Sequence, residues 1–246
     1  MTANLPRILW LLWLQGLDEA PAVARACLAS WRRLNPGWQV RAIDGSDLAR
    51  HVSADAFARI AAVPKEPEAF ADQIRIELLH LHGGVWADAT TMCATPLDEW
   101  LPDRMGSGFF AFDRPTEDRM IASWFLAASV PCNIVAKWRA SVAGYWTGRE
   151  ARHDYFWFHK LFAALYEEDP TFRSDWQATP SLPARHAFHF APEDSRLRSP
   201  PTPDDIAALS SPPSPVFKLT HKLAESAGSN SLLQLLCDFG CGVSVT

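Results

Sequence analysis

Apolar residues follow two spacings along this chain, and the spacing switches several times in the first hundred positions. Ile8-Leu-Trp-Leu-Leu-Trp-Leu14 is continuously apolar and is bounded by Pro6 before it and Gln15-Gly16 after it. A run so short and so uniform predicts a strand covered on both faces. Asp18 then stands where a helix needs a cap, with Pro21 in the first turn. Ala24, Leu28 and Trp31 recur at helical spacing until Asn35-Pro36-Gly37 stops them. Trp38 to Ile43 alternates and ends at Asp44-Gly45. Strand, helix and strand in sequence predict a right-handed parallel crossover with ligand groups at the carboxyl ends of its strands, and Asp44 occupies one such end.

A second helix is predicted over Glu66–His82, with Phe70, Ile74, Leu78 and Leu81 on one face and Gly83-Gly84 closing it. Asp72 and Arg75, three positions apart, project together from the opposite face. Val85 to Thr91 reads as a strand with Trp86, Asp88 and Thr90 on one side. Phe109–Phe112 and Ser123–Ala128 read as short strands, Asn133–Trp146 as a helix, and Asp154–Tyr166 as an almost wholly apolar, buried helix. Six prolines in Ser199–Pro215 predict an extended surface loop, after which Val216–Lys222 forms a last short strand. With no internal repeat and no dividing linker, the alternation predicts one α/β domain over 1–246, a mixed sheet flanked by helices.

Composition narrows the function classes. A chain of 246 residues buries a sizeable core without disulfide staples. Its net charge of −5, with no basic block longer than Arg32-Arg33, speaks against nucleic acid and against an anionic membrane. The apolar start is too short for a membrane span and lacks the flanks of a signal peptide, so at most a peripheral membrane association is expected. Five cysteines, an odd number, suit a reducing compartment such as the cytoplasm. No dinucleotide fingerprint, Walker loop, nucleophile elbow, zincin helix or paired Cys-x-x-Cys is present, which removes those oxidoreductase, kinase, hydrolase and zinc readings. The 11 tryptophans are in excess for a chain of this length.

One constellation carries chemistry: Asp72-x-x-Arg75 followed by Gly83-Gly84-Val85-Trp86-Ala87-Asp88-Ala89-Thr90. A carboxylate at a strand end holds a hard cation, which neutralises a diphosphate leaving group, and a nearby arginine adds a forked donor for phosphate oxygens. Each part has a plain structural alternative, namely a surface ion pair, a helix C-cap and a turn cap. Their conjunction within 19 residues favours a nucleotide-diphosphate site.

With these residues, Pro6-Arg-Ile-Leu-Trp10, Ser30-Trp31, Asp44, Asp154-Tyr155-Phe156 with His159, and Lys218-Leu-Thr-His221-Lys222, the chain resembles glycosyltransferase family 32, in its capsular polysaccharide synthesis branch. More distant similarity extends to the yeast initiating mannosyltransferases and the clostridial glucosylating toxins. The resemblance implies a GT-A type nucleotide-sugar-binding fold, with residues 1–100 as the nucleotide-sugar half and 101–246 as the acceptor-side half carrying the proline-rich loop 199–215. It implies a bacterial-type hexosyltransferase that uses a nucleotide-sugar donor, UDP-sugar favoured, a glycan acceptor and Mn²⁺ or Mg²⁺, with retention of anomeric configuration.

By the same resemblance, Trp10 stacks on the base, with Trp13 as its substitute in a shifted register, and Asp44 and Ser46 line the nucleoside pocket. Asp72 and Arg75 contact the donor sugar and phosphates, Trp86 stands beside the ribose, and Lys222 adds charge. Asp88 matches the first carboxylate of the family's Asp-x-Asp, while Thr90 stands where the second belongs, which weakens the metal set of Asp88, Thr90 and His221. Asp154, read either as a helix cap or as an acceptor-pocket residue, and Ser123 are the acceptor-side candidates. Asp88, Asp72 and Arg75 are expected to carry catalysis. A glycosyltransferase acting on a protein, and a non-catalytic nucleotide or glycan binder with a degenerate Asp-x-Asp, stand as alternatives.

Overall fold

The computed structural model describes residues 5–62, 66–191, 194–222 and 228–243. The chain begins with β1 (Ile8–Leu12), α1 (Ala22–Leu34), β2 (Gln39–Ile43), the short α2 (Leu48–His51), α3 (Ala54–Ala61) and α4 (Pro67–His82). It continues through β3 (Gly84–Ala87), β4 (Thr91–Cys93), α5 (Leu97–Trp100), β5 (Phe109–Thr116), β6 (Arg119–Ala128), α6 (Asn133–Tyr145), α7 (Trp157–Glu168) and α8 (Pro170–Gln177). The last elements are α9 (Pro203–Ser210), β7 (Val216–Lys218) and α10 (Leu232–Cys241). The first sheet has the order β2-β1-β3-β6-β5, and β4 pairs with β7. This is the mixed α/β sheet with flanking helices that the sequence predicts.

Contacts group the chain into two compact units. One holds the chain up to Ile8, Gly45–Trp86 and Asp103–Ala184; the other holds Leu9–Asp44, Ala87–Pro102 and everything from Arg185 on. Each draws residues from both sides of position 100.

In the first unit the core is aromatic. β5 and β6 form an antiparallel hairpin with Phe109 opposite Ala128. Trp138 of α6 stacks on Phe158 of α7 with ring centroids 4.0 Å apart, and its indole N–H donates to the Phe158 carbonyl at 3.1 Å. Glu77 of α4 is buried and accepts from Arg59 of α3 and from Arg139 of α6, both at 2.7 Å, so one carboxylate ties three helices together. Gly83 and Gly84 end α4 with φ of +63° and +82°. A Cβ on Gly84 would stand 2.3 Å from the Ile8 carbonyl oxygen, so the turn requires glycine there.

In the second unit, the Trp13 N–H donates to the Ile43 carbonyl at 3.0 Å, which sets the carboxyl ends of β1 and β2 side by side and makes the pair parallel. Two side chains of α1 and one at its C-cap hold β4 and its exit. The Trp31 indole donates to the Thr91 carbonyl at 2.8 Å, the Ser30 hydroxyl accepts from Cys93 N–H at 2.9 Å, and the Asn35 side chain accepts from Leu97 N–H at 2.7 Å. Gly240 of α10 lets that helix close on α1, because a Cβ there would stand 2.8 Å from the Ala26 carbonyl oxygen.

The structure corrects several expected elements. Val85–Thr91 is two strands, β3 and β4, because Thr91 folds back on Asp88. Its N–H and its hydroxyl both donate to the Asp88 carbonyl, at 2.8 and 2.7 Å. Trp86, Asp88 and Thr90 therefore do not share one strand face. The α4 faces are displaced from those predicted, since Asp72 and Arg75 are buried and Leu81 is exposed. α7 starts after Asp154 and buries only Trp157, Phe158 and Phe162. The proline-rich segment contains α9, with Thr202 and Asp205 completing a capping box and Pro203 in the first turn, where its missing N–H costs nothing.

Candidate functional site

α4 and β3 build the first candidate group. Pro67 opens α4, and three turns of helix bring Asp72 and Arg75 onto adjacent positions of one face, where they form a buried ion pair. The Arg75 guanidinium lies over the Trp86 ring, 5.1 Å from its centroid, and over the Phe158 ring at 5.6 Å. Stacked on aromatic rings, a guanidinium directs its N–H groups along its own plane, the geometry that suits phosphate or carboxylate oxygens. Trp86 is fully buried beneath Arg75 and leaves no open face for a ribose. Ser46 is exposed in the turn before α2 in this same unit.

The second group gathers around β4 and β7. The Asp88–Thr91 turn leaves the Asp88 carboxylate half-buried and Thr90 buried. Leu219 N–H donates to the Thr90 carbonyl at 2.8 Å, and the Lys218 ammonium donates to the Thr90 hydroxyl at 2.7 Å and to the Leu219 carbonyl at 2.9 Å. The lysine backbone is fixed from both directions, donating to the Phe188 carbonyl at 3.0 Å and accepting from Phe190 N–H at 2.9 Å. Trp13 is half-buried, and the His221 ring meets it edge-on at 5.3 Å. Asp44 follows β2, beside the Trp13–Ile43 pairing. Trp10, by contrast, is wholly buried under the Arg41 guanidinium at 5.1 Å and offers no open face to a base. Trp13 is the better-placed indole.

A divalent cation at Thr90 would stand close to the Lys218 ammonium. Coordinating the Thr90 hydroxyl would bring the ion to about 2.3 Å from an oxygen that already receives the Lys218 ammonium, hence within about 5 Å of that charge. At an effective dielectric constant of about 20, a +2 and a +1 charge so placed repel by about 7 kcal/mol. His221, the third member of the expected set, packs edge-on against Trp13. The expected Mn²⁺ or Mg²⁺ set of Asp88, Thr90 and His221 thus has its hydroxyl member hydrogen-bonded to an ammonium.

Residues 2–236 match the family model described as capsular polysaccharide synthesis protein. The chain belongs to the capsular polysaccharide synthesis protein family. Curated relatives of this family member include the glycosyltransferase afumC of Aspergillus fumigatus (strain CBS 144.89 / FGSC A1163 / CEA10), 36% identical over 103 residues that cover 37% of this chain and 26% of that protein. The O-glycosyltransferase braB of Annulohypoxylon truncatum is 24% identical over 158 residues, 56% of this chain and 37% of that protein. The chain thus spans well under half the length of either relative. Among solved structures, the PaToxG glycosyltransferase superposes with a TM-score of 0.51 at 14% identity, covering 71% of this chain and 74% of that one. The family is that of capsular polysaccharide synthesis proteins, and the fold is one shared with a solved glycosyltransferase.

The other predicted residues of this capsular polysaccharide synthesis family member are engaged locally. The Asp154 carboxylate accepts from Phe156 N–H at 2.7 Å and pairs with Lys160 at 2.8 Å, as a turn-capping residue does. Ser123 is half-buried in β6, and Lys222 is exposed, its N–H donating to the Thr220 hydroxyl at 3.3 Å. Phe158 and the Lys218–Thr90 contact escape a reading of the sequence. Phe158 is one aromatic among many in an apolar stretch, and Lys218 reaches a residue 128 positions away.

Proposed function

We propose that this chain is a glycosyltransferase that moves a hexose from a nucleotide diphosphate sugar, a UDP-sugar being favoured, to a hydroxyl of a glycan in surface polysaccharide synthesis. The observation that carries this reading is the buried Asp72–Arg75 pair with its guanidinium stacked over Trp86 and Phe158, in a chain of this family. A buried ion pair is costly to desolvate and is a poor source of stability. A rigid, planar cationic donor of this kind suits holding a diphosphate.

In the reaction, the bond between the anomeric carbon and the diphosphate oxygen breaks with both electrons leaving on the nucleotide. The acceptor oxygen bonds to the same carbon, and the acceptor proton passes to the departing phosphate oxygen on the same face, which retains configuration without a protein nucleophile. Arg75 stabilises the negative charge that develops, and Asp72 fixes Arg75 and orients the sugar. Asp88 and Asp44 are assigned to sugar and nucleoside hydroxyls, and Trp13 to the base. The resemblance adds a divalent cation to this scheme, which the contacts of Thr90 disfavour. No described helix is long and apolar enough to cross a membrane. The five free cysteines favour the cytoplasm, where nucleotide sugars are supplied.

The test is a panel of UDP- and GDP-sugars incubated with glycan and peptide acceptors and read by mass spectrometry. Transfer to a glycan, lost in Asp88→Ala at an unchanged melting temperature, is expected. Transfer only to peptide would move the acceptor class. Nucleotide binding with neither transfer nor slow donor hydrolysis would leave a non-catalytic binder in its place.

A further inference from the structure

The turn that leads into α7 carries an exposed aromatic group. Tyr155 has 55% of its surface exposed, and the Phe156 ring meets it edge-on at 5.0 Å. A guanidinium lies over each ring, Arg152 over Tyr155 at 4.8 Å and Arg119 over Phe156 at 4.2 Å. We propose that this turn is the acceptor platform, with Tyr155 stacking against the apolar face of an uncharged pyranose ring of the acceptor glycan. The inference rests on the nucleotide-sugar reading given above and names where, and by what chemistry, the acceptor is held.

A Cβ on Gly83 would stand 2.7 Å from the carbonyl oxygen of Ala128, the last residue of β6, and β3 and β6 are neighbours in the sheet. A β3 that starts at the end of β6 can share a ladder with it only by running back along it, so the two strands are antiparallel. Trp86, with Arg75 over it, therefore lies toward the end of the sheet from which β6 starts, and Arg119 is the first residue of β6. The chain itself makes a second link. Phe158, the other ring against Arg75, follows Phe156 by two residues in the first turn of α7.

The platform is fixed before any sugar arrives. Phe156 N–H donates to the Asp154 carboxylate at 2.7 Å, and the Phe156 carbonyl accepts from Lys160 N–H at 3.0 Å. Arg152 is anchored at 3.2 Å to Glu66, the N-cap of α4, and Arg119 Nε donates to the Thr116 hydroxyl at 2.7 Å. A ring ordered in this way loses little conformational entropy on binding. A pyranose offers a face of C–H bonds, which a phenol ring covers, and a rim of hydroxyls, to which guanidinium edges and carboxylates hydrogen-bond. The charges around the platform are matched, since Arg152 has Glu66 beside it and Arg119 has Asp118 at 3.6 Å. Cations already matched by carboxylates attract a uronate weakly, so the site suits an uncharged sugar.

The test is saturation-transfer NMR on the wild type, Tyr155→Ala and Tyr155→Phe, each loaded with UDP or GDP. Maltotriose and cellotriose are the neutral probes and trigalacturonate the acidic one, and nucleotide affinity is measured on the same samples by calorimetry. The neutral trisaccharides should receive saturation at their ring C–H protons, and Tyr155→Phe should keep it. Tyr155→Ala should weaken sugar affinity about 10-fold, the order of one aromatic stacking contact, at an unchanged melting temperature and nucleotide affinity. With the acceptor found by the transfer panel, the same variant should raise acceptor KM by that factor and leave donor KM where it was. Equal sugar signals in the wild type and a folded Tyr155→Ala, stronger saturation of trigalacturonate than of the neutral probes, or no sugar signal in a protein that binds nucleotide would overturn the inference and leave the nucleotide-sugar reading standing. Failure of both nucleotides to bind would overturn that reading and this inference with it.

Discussion

The Arg75 guanidinium stands 5.1 Å above the Trp86 ring, on a helix and a strand joined through two glycines with φ of +63° and +82°, a backbone that other residues rarely adopt. The contact sets the plane of the arginine, and a smaller ring with a weaker quadrupole sets it less firmly. Trp86→Phe should therefore lower donor kcat/KM by about 5- to 10-fold, the equivalent of about 1 kcal/mol of cation–π energy. Steady-state kinetics on the best donor, beside a melting curve to report the packing loss, checks this. An unchanged kcat/KM would separate Trp86 from the function of Arg75.

Gly84 is a test of the turn itself. Its φ is +82°, and a Cβ would meet the Ile8 carbonyl oxygen at 2.3 Å, a backbone atom that cannot step aside. Gly84→Ala should cost about 3 kcal/mol or more through strain and displacement of β1, measured by denaturant unfolding. A loss below about 1 kcal/mol, the scale of an unstrained glycine replacement, would show that the turn relaxes.

Glu77 gives a prediction of the opposite character, electrostatic and not steric. Its carboxylate is buried, and its two arginines are partly solvated, with 38% and 29% of their side-chain surface exposed. Glu77→Gln should lose about 2 kcal/mol, less than a fully buried pair broken on one side, because water partly compensates the arginines. Urea unfolding at low and high salt reads it, and the wild type should show the larger salt sensitivity.

His186 carries a pH signature. Burial is the main cause that brings its pKa down from 6.5 to about 4, with His189 beside it acting in the same direction. The fold therefore favours the neutral ring, while the unfolded chain takes up a proton below pH 6.5. The stabilisation is full above that value and is lost as pH falls from about 6.5 to about 4, amounting to about 1–3 kcal/mol for a partly exposed ring. Melting temperatures of the wild type and His186→Gln between pH 7.5 and 4.5 should show a steeper acid decline in the wild type. Parallel curves would exclude this contribution.

How much of this was legible beforehand follows from the range of each signal. Apolar periodicity is local, so β1, α1, β2 and the extent of α4 are written in runs such as Ile8–Leu12 and in the glycines that end α4. The break at Asp88 is invisible to a two-residue period, because a hydroxyl and an N–H of Thr91 create it. α9 was hidden by prolines that start a helix as readily as they prevent one. Asp72, Arg75 and Asp88 are recognisable from spacing, but the partners that define their chemistry are distant in sequence: Phe158 for Arg75 and Lys218 for Thr90. Most of the tryptophan excess is core. Trp10, Trp31, Trp86, Trp138 and Trp157 are all fully buried, so Trp10 has no open face for a base.

The role proposed for Arg75, holding the diphosphate of a nucleotide-sugar donor, is open to calorimetry. UDP, UMP and uridine, with GDP in parallel, are titrated into the wild type and Arg75→Gln. The diphosphate should bind the wild type far more tightly than the monophosphate or the nucleoside, and Arg75→Gln should lose about 10- to 100-fold of that affinity, the range of a charge-assisted hydrogen bond. Equal affinity for diphosphate and nucleoside, or wild-type diphosphate affinity in a folded Arg75→Gln, would contradict it.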